Sequence, residues 1–166
     1  MILGFAHPCL VVPDVDAARS FYEKMFGFRL LSEEGWSDAP DVDRATGSKN
    51  SSCRGYMLEG HNCHLEMFEY KSPQQTGPDP ATLGPHEQGI RHIAFFVDDC
   101  RAEYQRLLSL GGEMLGEPVD NGGGIFTAYC RDPFGNIIEL CEIPTGEEDP
   151  RNLPGISSLG TYSPQE

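Results

Sequence analysis

The fold is decided by two stretches of similar plan, FAHPCLVVPDVDAARSFYEKMFGF at residues 5–28 and GIRHIAFFVDDCRAEYQRLLSLGG at residues 89–112. In each stretch a short apolar run precedes aspartates that can cap a helix, and an amphipathic segment then ends at glycine. When His7 is placed over His92, the apolar and capping positions coincide as well. The sequence therefore predicts two copies of one strand–helix unit, each with a histidine at the opening of its first strand.

The second half of each copy repeats as well. HLEMFEY at residues 64–70 matches IIELCEI at residues 137–143, with Glu66 over Glu139. Because side chains alternate along a strand, each glutamate faces away from the apolar neighbours that pack against a helix. A carboxylate in so apolar a strand must be solvated, paired or bound to a cation, since an unpaired buried charge is very costly. Two such positions in register call for one explanation.

We predict four segments along the chain. They are a first module at residues 1–72, a Pro/Gly-rich linker at 73–88, a second module at 89–144 and an extended C-terminal tail at 145–166. The first module is the longer one, mainly through a polar stretch at residues 37–52, which we expect to form a loop over a site.

Composition restricts the class of partner. The 166 residues include 26 acidic and 12 basic side chains, a net charge of −14, which opposes binding to a phosphate backbone. The sequence has no apolar run long enough to span a membrane and no secretory signal at its N-terminus. Its six cysteines form no C-x-x-C pair. We therefore expect a cytoplasmic protein with reduced thiols that binds neither nucleic acid nor membranes.

The two histidines and the two glutamates form a mixed nitrogen and oxygen donor set. Taken singly, such residues are more often ordinary core or surface residues, but four of them at matched positions of a repeat favour a shared role. His7, Glu66, His92 and Glu139 suit one divalent ion such as Zn²⁺, Ni²⁺, Co²⁺, Mn²⁺ or Fe²⁺. Four protein ligands leave positions open for substrate on an octahedral ion, which favours catalysis over a structural role.

Together with RDPFGNIIELCE at residues 131–142, these segments resemble the vicinal oxygen chelate superfamily. That superfamily comprises glyoxalases, methylmalonyl-CoA epimerases, extradiol dioxygenases, and fosfomycin or bleomycin resistance proteins. The resemblance covers about residues 4–144. It implies an α+β fold of two tandem βαβββ modules, whose curved mixed sheets enclose a metal-binding cavity, and it places the four candidate ligands at the family's ligand positions. It also implies a homodimer.

The resemblance further implies a reaction. Glyoxalase I carries Glu where epimerases usually carry Gln, so Glu66 favours a lyase or isomerase of this type. Such an enzyme chelates vicinal oxygens of a small carbonyl or diol substrate and moves a proton at the adjacent carbon, through an enediolate or enolate. Glu139 and Glu66 are the candidate bases. A hairpin at residues 132–136 would place Tyr129 opposite Glu139, where it either assists the reaction or fills the sheet as an ordinary aromatic.

Two other functions remain open. His7, His92 and Glu139 alone form the 2-His-1-carboxylate set of an Fe(II) extradiol dioxygenase, for which His64 or Tyr129 would be an acid or base. A non-catalytic, drug-binding protein of the bleomycin-resistance kind would use the same cavity without metal.

Two weaker features concern other ligands. Arg54, Arg91 and Arg131 are candidates for binding the carboxylates of glutathione, although the sequence defines no basic clamp. A zinc site around His61 and Cys63 has unconvincing spacing.

Overall fold

The computed structural model describes residues 1–144 together with residues 146, 149 and 152. The chain divides into two compact units, the first comprising Met1–Gly77 and the second beginning at Pro78, a division that falls inside the predicted linker. Each unit contains its own sheet and helix, so the predicted α+β class with tandem modules is confirmed. Most of the tail predicted at residues 145–166 lies outside the described residues.

Residues 1–77 of the first unit contain four strands and two helices. They are β1 (Cys9–Val11), α1 (Val15–Phe26), β2 (Arg29–Trp36), α2 (Pro40–Thr46), β3 (Ser52–Glu59) and β4 (His64–Ser72). The sheet has the order β1-β4-β3-β2, with β1 parallel to β4 and the other neighbours antiparallel. The first and last strands of this unit are therefore hydrogen-bonded neighbours.

The second unit repeats this topology. Its elements are a short 3-10 turn (Pro80–Thr82), β5 (His92–Val97), α3 (Cys100–Ser109), β6 (Glu113–Met114), β7 (Val119–Asp120), β8 (Phe126–Arg131) and β9 (Ile137–Glu142). The order is β5-β9-β8-β6, β7 also pairs with β8, and β5 is parallel to β9. Two short strands, β6 and β7, thus stand where the first unit has the single strand β2. None of the helices in the described part of the chain is long and apolar enough to cross a membrane.

Both long helices begin and end as the sequence predicts. Asp14 accepts hydrogen bonds from the backbone N–H groups of the first turn of α1, and Asp99 does the same for α3. Helix α1 ends at Gly27, whose φ of 67° is the left-handed conformation in which glycine is favoured.

Two predicted elements differ in the structure. The sequence predicts His7 at the opening of the first strand, but the strand begins at Cys9, because Pro8 has no N–H to donate to a strand ladder. The polar stretch at residues 37–52 contains helix α2 instead of a continuous loop. Pro40 suits the first turn of that helix, and Gly47 ends it with a φ of 71°.

The core of each unit lies between its sheet and its long helix. Leu65 and Met67 of β4 are fully buried on the face that α1 covers, and Ile138 and Leu140 of β9 are buried in the same way beside α3. This alternation confirms that the apolar residues of both glutamate motifs point into the core. Glu66 and Glu139 consequently stand on the other face of each sheet.

The second glutamate of each motif connects the last strand to the helix. Glu69 accepts a hydrogen bond of 3.1 Å from the backbone N–H of Val15, the first residue of α1. Glu142 accepts one of 3.0 Å from the N–H of Cys100, the first residue of α3, and another from Phe126. These N–H groups have no partner inside the helix, and the positive end of the helix dipole favours a carboxylate there. Sequence analysis noted the motif but did not assign this role.

Replacing Glu142 with Ala should lower the free energy of unfolding by about 2 kcal/mol, because two backbone donors lose a charged acceptor. Urea denaturation monitored by circular dichroism measures this change. Glu117→Ala removes an exposed carboxylate of the same unit and should cost less than about 0.5 kcal/mol. Equal effects for the two variants would contradict the role assigned to Glu142.

Candidate functional site

In the first unit His7 lies beside Glu66. The Nε2 atom of His7 is 3.5 Å from Oε2 of Glu66, and the two side chains are 33% and 19% exposed. Parallel pairing puts Cys9 opposite Glu66, and the N–H of Glu66 donates to the carbonyl of Pro8 at 3.1 Å. The histidine therefore stands two residues before the residue that faces the glutamate.

The second unit repeats this geometry with His92 and Glu139. Here Nε2 of His92 is 3.0 Å from Oε2 of Glu139, and the glutamate side chain is 18% exposed. Ala94 is the residue opposite Glu139, so the histidine again stands two positions before it. The two units thus present the same diagonal pair of an imidazole and a carboxylate.

The neighbours of the two carboxylates differ. Glu66 has Cys9 on one side and Met57 on the other, whereas Glu139 has Ala94 and Tyr129. Burial, together with the negative charge of Glu66 and a hydrogen bond to it, raises the pKa of the Cys9 thiol to about 12. One carboxylate therefore has sulfur-containing neighbours and the other has a phenol.

Tyr129 lies opposite Glu139, as the predicted hairpin required. Its ring also packs edge-on against the imidazole of His92, with centroids 5.2 Å apart. Burial, the charge of Glu139 and a hydrogen bond to that carboxylate raise the pKa of the Tyr129 phenol. The phenol remains protonated near neutral pH, so it is a hydrogen-bond donor to Glu139.

Comparison with known proteins identifies the family. The family described as the glyoxalase/bleomycin resistance protein/dioxygenase superfamily matches residues 4–140. The chain belongs to this superfamily.

Individual relatives agree with this assignment. A 2-epi-5-epi-valiolone epimerase from Actinomyces is 31% identical over 154 residues, covering 84% of this chain and 79% of that protein. A lactoylglutathione lyase from Haemophilus influenzae is 26% identical over 138 residues, covering 82% of this chain and 90% of that protein. Among solved structures, a glyoxalase family protein from Bacillus cereus superposes with a TM-score of 0.78 at 22% identity, covering 86% and 95% of the two chains. The relatives include enzymes that bear the names of a lyase and an epimerase.

The structure brings the predicted ligands of this superfamily member together two by two, one pair in each unit. Within the described ranges, no group of three or more His, Cys, Asp or Glu side chains is arranged to hold a metal ion. His64 is exposed at the start of β4, where it lies opposite Glu59. His61 lies 2.9 Å from the carbonyl oxygen of Phe26.

Two of the three candidate arginines have internal partners. Arg54 binds the carboxylates of Asp16 and Glu69. Arg131 is 6% exposed and donates to the carbonyl oxygens of Pro80, Leu83 and Gly135. Neither guanidinium is available as a clamp for a substrate carboxylate.

The hairpin that positions Tyr129 is held by Asp132, which is 1% exposed. Its carboxylate accepts hydrogen bonds from the backbone N–H groups of Phe134 and Asn136 and from the side-chain amide of Asn136. Gly135 adopts a φ of 85°, which completes the turn. The turn sets the register in which Tyr129 meets Glu139.

Asp132→Ala should lower the free energy of unfolding by about 2–4 kcal/mol, because buried donors lose their acceptor. The comparison variant is Asp120→Ala, which removes an exposed carboxylate that accepts from the N–H groups of Gly122 and Gly124. That change should cost about 0.5–1 kcal/mol, since water replaces the lost acceptor. Thermal and urea unfolding of both variants measure the difference, and similar losses would argue against a buried anchor at Asp132.

Proposed function

We propose that this protein is a divalent-metal-dependent lyase or isomerase of the glyoxalase and epimerase type. His7, Glu66, His92 and Glu139 would hold one ion between them. The observation that carries the proposal is that the same diagonal His–Glu pair occurs in both units. In each unit the carboxylate stands on the face of the sheet that points away from the apolar core. The substrate class would be a small molecule with a carbonyl or diol that offers vicinal oxygens.

The donor atoms fit a divalent ion. Zinc binds imidazole nitrogen and carboxylate oxygen at about 2.0–2.2 Å, so two adjacent ligands of an octahedral ion lie about 3 Å apart. The paired atoms in the two units are separated by 3.5 Å and 3.0 Å. Each unit would supply two adjacent ligands, and two pairs would leave further positions for substrate. Zinc, nickel, cobalt and manganese all suit such a nitrogen and oxygen set.

The second pair could come from the same chain or from another copy of it. The superfamily resemblance supports a homodimer, which we include in the proposal. In either arrangement each unit would contribute one histidine and one glutamate.

A bound divalent ion would stabilise the negative charge that develops on a substrate carbonyl oxygen. Glu139 would remove the proton from the adjacent carbon and return it to the neighbouring position or to the opposite face. The phenol of Tyr129 lies opposite this carboxylate and is hydrogen-bonded to it. Glu66, which lies beside His7 and the weak thiol donor of Cys9, would be the second base.

The first test is metal content of protein purified without a metal-binding tag. Elemental analysis should give about one zinc, nickel, cobalt or manganese per chain if the four ligands are complete. His7→Ala and Glu66→Gln should each weaken metal affinity about 10- to 100-fold or more, since a direct ligand matters at least as much as its supporting residues. His64→Ala, which removes an exposed histidine of the same strand as Glu66, should leave metal content unchanged. Protein without metal would overturn the proposal and support the drug-binding alternative.

The second test is proton transfer. Incorporation of solvent deuterium beside the carbonyl of a 2-hydroxycarbonyl compound, followed by NMR, should fall about 10²- to 10⁴-fold in Glu139→Gln. Tyr129→Phe should retain the metal and lose less activity than Glu139→Gln. Oxygen uptake with catechols in the presence of Fe(II), retained in Glu66→Gln, would instead establish the dioxygenase alternative.

A further inference from the structure

Arg91 differs from the other two candidate arginines. Its Nε–H is buried and has no hydrogen-bond partner, and no described residue forms an ion pair with its guanidinium. In contrast, Arg54 is paired with two carboxylates, and Arg131 donates to three carbonyl oxygens. Arg91 is therefore a cation whose buried donor lacks an acceptor inside the described protein.

Arg91 is one of the residues that line a cavity of about 130 Å³ in the second unit. Apart from Arg91, it is lined by Asn136 and by residues that are apolar or glycine, with Pro80, Leu83 and Gly135 among them. None of the described residues that line this cavity is acidic. Arg91 is the one charged side chain among them.

Arg131 builds the wall of the same cavity. Its guanidinium donates to the carbonyl oxygens of Pro80, Leu83 and Gly135, all of which belong to lining residues. Those acceptors are consequently used by Arg131. Among the described residues, none competes with a ligand for the buried Nε–H of Arg91.

A buried donor without an acceptor is costly, and in folded proteins such a group needs an explanation, for example a bound ion. The planar guanidinium presents paired N–H donors that match the geometry of carboxylate and phosphate oxygens. The cavity is smaller than the roughly 300–1,000 Å³ of pockets that hold whole drug-sized ligands. It therefore suits one charged group of a ligand.

We propose that Arg91 and this cavity form an oxyanion site that binds the carboxylate or phosphate group of a small molecule. Neither His92 nor Glu139 lines the cavity, although Arg91 directly precedes His92 in the chain. The inference rests on Arg91 and the cavity and needs no bound metal. Asn136 contributes a second polar side chain, whose amide donates one hydrogen bond to Asp132 and has another N–H left to offer.

The test is anion-dependent thermal unfolding of metal-free protein, with NaCl used to hold ionic strength constant. Sodium phosphate and sodium acetate are titrated separately, to concentrations on the order of 10 mM. The melting temperature of the wild type should rise and approach saturation with at least one of the two anions. A response to phosphate alone assigns a phosphate group, a response to acetate alone assigns a carboxylate, and a response to both supports an oxyanion site of either kind.

Arg91→Gln should abolish the anion response, and Arg91→Lys should weaken it because an ammonium lacks the paired donors. Arg44→Gln is the matched control: it removes the same charge from an arginine that is 74% exposed and paired with Asp41. That variant should respond like the wild type. General salting effects of phosphate act on all variants alike, so they do not imitate this pattern.

The anion-free melting temperature separates binding from a structural role. Because Arg91 has an unpartnered buried donor, Arg91→Gln should be at least as stable as the wild type without added anion. A less stable Arg91→Gln that still responds to phosphate would overturn the proposal, as would a wild type that responds to neither anion. Glu139→Gln should keep the full anion response while losing metal, so failure of the metal proposal and failure of the anion proposal give different results.

Discussion

The parallel pairing of the first and last strand in each unit is the constraint on which the candidate site depends. β1 lies beside β4 and β5 lies beside β9, although each pair is separated in sequence by a helix and further strands. Parallel neighbours need such a long crossover, and the helix of the crossover covers one face of the sheet. The glutamate in the last strand then faces away from the helix. The histidine near the start of the first strand reaches it diagonally on that same open face.

Much of this could be predicted from sequence because the determining signals are local or repeated. The capping aspartates, the glycine that ends α1 and the alternation around Leu65 and Leu140 each depend on nearby residues. The pairing of Tyr129 with Glu139 followed from a tight turn, which fixes register over a short distance. The match between the two halves of the sequence then indicated which distant segments, the histidine and the glutamate motif of each unit, belong together. A single motif does not contain this information.

What sequence analysis missed depends on contacts between distant residues. Glu69 and Glu142 each bind a helix N-terminus more than forty positions earlier in the chain. The residues next to them in the sequence do not distinguish such a carboxylate from an exposed one. The lack of a hydrogen-bond partner for Nε of Arg91 among the described residues likewise becomes visible only in the folded structure. The truncated β1 was predictable in principle from Pro8, whose lack of an N–H weighs against an extended ladder. Helix α2 could not be predicted from apolar periodicity, because its segment is polar and buries no residue.

The two glutamates of each motif are three residues apart and therefore lie on opposite faces of one strand. The first stands on the open face, and the second holds the start of the helix that covers the other face. An insertion or deletion between them would turn one of the two carboxylates to the wrong face, because side chains alternate along a strand. The spacing of three residues therefore keeps the two carboxylates on opposite faces of the strand. A substitution at Glu66 or Glu139 leaves untouched the contact through which Glu69 or Glu142 holds the start of the helix.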